Sequence, residues 1–218
     1  MSRTAKKKKT RPQLDAVSIA SAALAMVDRD GMEGLSFRNL AKVLGCEAMS
    51  LYHYFPSKAH LFDAMVNLYL DEMDPVPDEG SWQEKLRFIA HQFRRMALRH
   101  PAFFQFVSIY RMNSERGLQF LNVALQIFEE MGLDVETRAR NFRAFGFYLT
   151  GACLDEALGY AKGPSAAEPV PMEDARRLFP AIMAVGPYFS QQHHERTFNL
   201  GIDVLVHHLE SEVARAKL

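Results

Sequence analysis

Leu35-Ser36-Phe37-Arg38-Asn39-Leu40-Ala41-Lys42-Val43-Leu44-Gly45-Cys46-Glu47-Ala48-Met49-Ser50-Leu51-Tyr52-His53-Tyr54-Phe55-Pro56-Ser57-Lys58 is the stretch whose spacing decides the fold. Ser36 is a good N-cap, because its side-chain oxygen can accept from an orphan amide of the first helical turn. Phe37, Leu40, Ala41 and Leu44 then recur at helical spacing, and Gly45 stops the helix. Ala48 to Phe55 fits about two more turns before Pro56, which has no N–H to continue them. Two short helices that meet at a glycine hold the second at a steep angle to the first, so that one can enter a DNA major groove while the other braces it. At about 100° per residue, Ala48, Met49, Tyr52 and His53 share one face of the third helix, and Leu51, Tyr54 and Phe55 lie towards the other. Ser57 and Lys58 open the next helix, where free amides, the positive dipole end and a lysine charge together favour a phosphate.

Working outward, the helical period persists in both directions. Val17, Ala20, Leu24 and Val27 mark a first helix, which Gly31 is expected to end in the left-handed conformation. Ser57 is expected to cap a helix carrying Leu61, Phe62, Met65, Leu68 and Tyr69. Pro75 and Pro77 then interrupt the pattern, and Ser81-Trp82-Gln83-Glu84 reads as a capping box. Further helices follow: from Trp82 to His100, near Phe103 to Tyr110, from Leu118 to Gly132, and from Thr137 to Ala161. Lys162 to Pro171, rich in Pro, Gly and Ala, is the expected mobile loop. Met172 to Val185 reads as one irregular helix, and 195 to 213 as the last. No stretch alternates with a period of two between turn signals, so the chain is expected to be all-α, with about nine or ten helices.

Composition narrows the function. With 48% hydrophobic residues and no apolar run long enough for a bilayer, the chain reads as a soluble, cytoplasmic protein without a signal peptide. Cys46 and Cys153 lack metal or disulfide spacing, so both are expected as reduced thiols. The net charge of zero hides a split: residues 1 to 58 carry ten Lys/Arg against five Asp/Glu, and the other 160 carry sixteen against twenty-one. A basic head on an acidic body suits an anionic partner such as nucleic acid. Six of the ten positive charges fall in the first eleven residues, so 1–13 is read as a disordered basic arm, either merely solvated or drawn to phosphates without sequence preference.

The order of these residues resembles the TetR family of repressors, in which a small or threonine start, an arginine, Leu-Ala, Leu-Gly, Leu-Tyr and a Phe-Pro-x-Lys-like ending recur. The likeness covers about residues 15 to 65, with Gly31, Gly45, Leu51, Tyr52, Phe55 and Lys58 at the expected places. It implies a helix-turn-helix DNA-binding domain over 14–60 and a larger helical effector-binding and dimerisation domain over 61–218. It also implies that Ser36, Arg38, Ser50, Tyr52, Ser57 and Lys58 hold the DNA backbone or bases, while Ala48, Met49 and His53 choose the operator. Double-stranded operator DNA, a small-molecule effector and a second copy of the chain are the implied partners. The copies would meet through helix 137–161, with Gly146, Gly151 and Gly159, and through the last helix, 195–213. Those glycines equally suit kinks or packing within one chain.

An apolar effector cavity is expected among the many Phe and Met residues of the body. Its candidate lining is Met65, His91, Phe104, Tyr110, Phe145, Tyr148 and Cys153, each of which also suits a plain core position. No catalytic constellation is visible. Asp155 and Glu156 are adjacent and point apart on a helix, and His207/Glu210 and His208/Glu212 supply only two ligands each, so no metal or other cofactor is expected. The rival readings are a helical-bundle enzyme or carrier of a small molecule, and a dimeric protein adaptor without specific DNA binding.

Overall fold

The computed structural model describes residues 14–159 and 167–217. Among them every regular element is helical: α1 (Ala16–Gly34), α2 (Phe37–Leu44), α3 (Ala48–Tyr52), α4 (Lys58–Asp71), α5 (Trp82–Arg99), α6 (Pro101–Val107), α7 (Glu115–Glu129), α8 (Val135–Leu158), α9 (Met172–Leu178), α10 (Pro180–Val185) and α11 (His194–Ala216). Two single 3-10 turns, Gly186–Phe189 and Gln191–His193, lead into α11. The expected basic arm, 1–13, lies outside the described residues, as do residues 162–166 of the expected loop.

Local chemistry explains most of the boundaries. Asp15 starts α1 by accepting from the Ser18 amide at 2.7 Å, and Ser18 Oγ returns a bond to the Asp15 amide. Ser36 Oγ accepts from the Asn39 amide at 3.1 Å to start α2, and Gly45, at φ 66°, closes it in the left-handed conformation. The Ser81–Glu84 box opens α5 as expected. Asp134 caps α8 through the Glu136 and Thr137 amides, and Gly159 ends it at φ 68°.

Four expectations are corrected. The described residues hold eleven helices rather than nine or ten, because Met172 to Val185 is two helices. Pro180 has no amide to donate, and Phe179 before it leaves helical geometry at φ −130°, ψ 54°. Gly31 does take a positive φ, 75°, but with ψ 172°, so it kinks the chain and a last turn runs on to Gly34. Ser57 has the extended backbone of an N-cap, yet its hydroxyl meets His60 Nδ1 at 2.8 Å instead of capping α4. The long helix ends at Leu158 rather than Ala161, and Gly159 is its terminator and not part of a helical seam.

The architecture follows from which faces are apolar. Ile19, Ala23, Leu24 and Val27 of α1 are buried where that helix lies against α2, α4 and α6. Behind it, α5 packs on α7 and α8, α6 on α8, and α11 across α8 and α5. Tyr69, Phe103, Phe104, Phe128, Met65 and Met96 are fully buried at the centre. Burying each such side chain contributes roughly 1.5–3 kcal/mol against chain entropy. No residue from 167 to 193 is buried, and Phe179, Ile182, Tyr188 and Phe189 there face outward.

Candidate nucleic-acid interface

The outward face of α3 is built by what its inward face buries. Leu51 is fully buried and Phe55 is 5% exposed, so together they fix the short helix on α1 and α2. That leaves Met49 68% and Tyr52 45% exposed, with His53 beside them in solvent and Ala48 and Ser50 half-buried. Tyr52 is not free to swing, since its ring meets the edge of Phe37 at 4.6 Å between centroids. Tyr54 is itself exposed, but its hydroxyl donates to the Leu14 carbonyl at 2.7 Å and so ties the start of α1 to the turn after α3.

The flanking groups suit phosphate. Arg38 is exposed on α2 and has no ion-pair partner among the described residues. Lys42, one turn later on the same face, is exposed too. It was missed in the sequence, although spacing by four from Arg38 was the signal available. Lys58 projects from the first turn of α4, its ammonium 5.2 Å from the Phe62 ring centre. Because the Ser57 hydroxyl is turned to His60, the first amides of α4 keep no side-chain cap.

The candidate effector residues differ in their surroundings: all but His91 lie in or against the one hydrophobic core. Met65, Phe104, Phe145 and Cys153 belong to the buried core. His91 lies on the exposed side of α5, its ring near Phe198. Tyr110 donates to Asp63 at 2.9 Å, and burial, reinforced by that carboxylate, pushes its phenol up to about 12. Tyr148 donates to the Phe198 carbonyl at 2.7 Å. Cys153 is fully buried, its thiol pushed up to about 12 chiefly by that burial. Among the described residues no group of three metal-ligating side chains occurs, and no helix is long and apolar enough to cross a membrane.

A buried histidine joins α1 and the end of α4 to the corner between α5 and α6. His100, at the corner between α5 and α6, is 6% exposed. Its Nδ1 is 2.7 Å from Asp28 of α1, and its Nε2 is 3.1 Å from Glu72 at the end of α4. Arg99 also pairs with Glu72 at 3.0 Å, and Gln92 and Asp74 exchange two hydrogen bonds beside it.

Comparison with known proteins places this geometry. Residues 19–65 match the model of bacterial regulatory proteins of the tetR family, and residues 74–213 match that of the tetracyclin repressor-like C-terminal domain. The HTH-type transcriptional repressor DrrR1 of Streptomyces coeruleorubidus is 30% identical over 148 residues, covering 67% of this chain and 55% of that protein. The class D tetracycline repressor protein of Escherichia coli is 30% identical over 147 residues, 66% of this chain and 67% of that one. The chain thus spans little more than half of DrrR1, and 42% of a related regulator from Saccharopolyspora erythraea. In fold it is similar to apo ActR from Streptomyces coelicolor, with a TM-score of 0.75 at 22% identity over 95% of this chain and all of that one. It is likewise similar to a single-residue variant of TetR from Acinetobacter baumannii in complex with minocycline, with a TM-score of 0.68 at 22% identity, covering 92% and 99%. With both halves matched in order, the chain belongs to the TetR family of bacterial regulatory proteins.

Proposed function

We propose that the chain is a cytoplasmic transcriptional repressor that binds a palindromic operator as a dimer and leaves it when a small, apolar or aromatic effector occupies the body. The observation that carries this reading is the exposure of Met49, Tyr52 and His53 on a helix whose other side, Leu51 and Phe55, is anchored in the core. Met49 offers only apolar contact, such as with a thymine methyl, and His53 a hydrogen bond to a base edge or phosphate. Ser36, Arg38, Lys42, Ser57 and Lys58 supply backbone contacts, which set affinity without sequence. Residues 14–60 then form the reader and 61–218 the body.

Dimerisation is supported by the outer faces of α8 and α11. Phe147, Leu200 and Val204 are each more than 60% exposed there, and a Cβ placed on Gly146 or Gly151 would meet nothing within 4 Å. Apolar side chains beside open glycines suit a close helix seam with a second copy. The relatives named as repressors, and neighbours solved with bound small molecules, favour a regulator over a helical-bundle enzyme or an adaptor.

The test is retardation of DNA from the gene's own neighbourhood at several salt concentrations. A steep fall in affinity with salt, together with preference for one site over random DNA, is expected. Equal weak binding to all sequences overturns the reading.

A further inference from the structure

Ser57 stands where a helix cap belongs and does not cap. Its backbone, at φ −148° and ψ 166°, has the extended form of an N-cap, and a serine there ordinarily turns its oxygen back onto an amide of the first turn. Ser36, Ser81 and Ser114 all do so, at the starts of α2, α5 and α7. Ser57 instead meets His60 Nδ1 at 2.8 Å, and no amide of α4 bonds to its hydroxyl. The Lys58, Ala59 and His60 amides consequently have no hydrogen-bond partner among the described residues.

The difference lies in the third residue of the helix. At α5 that residue is Glu84, whose long side chain accepts from the Ser81 hydroxyl at 2.8 Å and still leaves the Glu84 amide bonded to Ser81 Oγ at 3.3 Å. At α4 it is His60, exposed, with a short and rigid ring. Whichever partner donates, the bond to that ring holds the Ser57 oxygen away from the amides. Lys58, between the two, has its ammonium over Phe62 and adds charge at the same corner.

Resting on the reading of the chain as an operator-binding regulator, we propose that His60 is a positioning residue for the DNA backbone: by drawing the Ser57 hydroxyl off α4, it keeps the first amides of that helix open to a phosphate. The Ser57 oxygen and a phosphate oxygen compete for the same N–H groups. A serine that capped α4 would therefore raise the stability of the chain and lower its hold on DNA. His60 settles that competition in favour of the phosphate.

The test is thermal melting and DNA retardation of the full-length protein, its His60→Gln and His60→Asn variants, and His60→Gln in a Ser57→Ala background. The probes are DNA from the gene's own neighbourhood and random duplex of equal length. Gln completes a capping box, so His60→Gln is expected to melt about 2–4 °C higher and to bind both DNAs about three- to tenfold more weakly. Asn sets its amide where Nδ1 stands, so His60→Asn should restore most of the wild-type affinity. In Ser57→Ala, which has no hydroxyl to cap with, the change to Gln should lower affinity no further. Unchanged affinity in His60→Gln, an equal loss in both backgrounds, or the same loss with Asn overturns the positioning role. A wild-type protein that binds both DNAs alike sinks the regulator reading beneath it.

Discussion

The imidazole of His100 is hydrogen-bonded through Nδ1 to Asp28 Oδ2 at 2.7 Å, a contact across 72 residues of sequence that joins the α5–α6 corner to α1. Its other nitrogen faces Glu72, so one ring touches α1, the end of α4 and the α5–α6 corner together. Asp28→Asn keeps the shape but weakens a charge-assisted bond. It should cost about 1–3 kcal/mol in urea unfolding and reduce the effect of effector on DNA release. Unchanged unfolding would mean that the joint contributes nothing to the fold.

Arg94 and Glu156 are a second long-range pair, with side chains only 16% and 9% exposed. Arg94→Met leaves Glu156 shielded and uncompensated, so a loss of about 3–5 kcal/mol is expected. The double variant Arg94→Met/Glu156→Leu should regain most of it, because removing both charges removes the desolvation penalty as well. Chemical denaturation of the two variants beside the parent measures this, and equal losses in single and double variants would contradict the assignment.

Cys153 carries a pH signature. Its thiol stands at about 12 in the folded chain against an ordinary 9.0. Below the lower value both folded and unfolded chains keep the proton, and the group has no effect on stability. Above it the unfolded chain ionises first, unfolding releases a proton, and stability falls as pH rises towards the folded value. Cys153→Ala should therefore flatten the decline in urea midpoint between about pH 9 and pH 10.5. A thiol reagent should also modify half-buried Cys46 quickly and Cys153 only on unfolding.

The glycines of the two long helices should respond oppositely to alanine. A Cβ on Gly201 would sit inside the Tyr148 ring, whose hydroxyl holds the Phe198 carbonyl, so Gly201→Ala should destabilise by about 1–3 kcal/mol. Gly146→Ala and Gly151→Ala meet open space in one chain and should each gain about 0.5–1 kcal/mol of helix stability. If both copies meet over those positions, the same changes should weaken self-association in sedimentation; unaffected association would place the seam elsewhere.

On the proposed function, operator reading is expected to divide between two kinds of residue. Lys58→Ala should weaken binding to every sequence and flatten the salt dependence, while Met49→Ala or His53→Ala should alter which operator variant is preferred. Titration of a set of operator variants checks this, and a uniform loss from all three would remove Met49 and His53 from the reading face.

Features that depend on neighbours in sequence were the legible ones. Ser36, Gly45 and the Ser81–Glu84 box act within one turn of chain, and the Leu51/Met49 division is simple helical geometry. Family likeness added order to those local signs. The Gly31 kink and the Ser57–His60 bond departed from expectation because each residue had a second local option, an extended ψ at Gly31 and a ring nitrogen three residues on for Ser57. His100 looked like a residue before a proline, and its partners lie 72 and 28 positions away. Tyr69 read as one more apolar position on α4, since no sequence pattern marks a hydroxyl left without a partner. His91 seemed suited to a cavity because it stands on an amphipathic helix, yet it falls on the solvent side.

The bond from Tyr54 to the Leu14 carbonyl fixes a point of departure. Residue 14, where α1 is about to begin, is thereby moored to the very turn that follows α3, the helix that leaves Met49 and Tyr52 exposed. Cutting that mooring with Tyr54→Phe would leave the approach to α1 held there by packing alone, so the loss of one hydroxyl would loosen the frame behind the exposed face of α3.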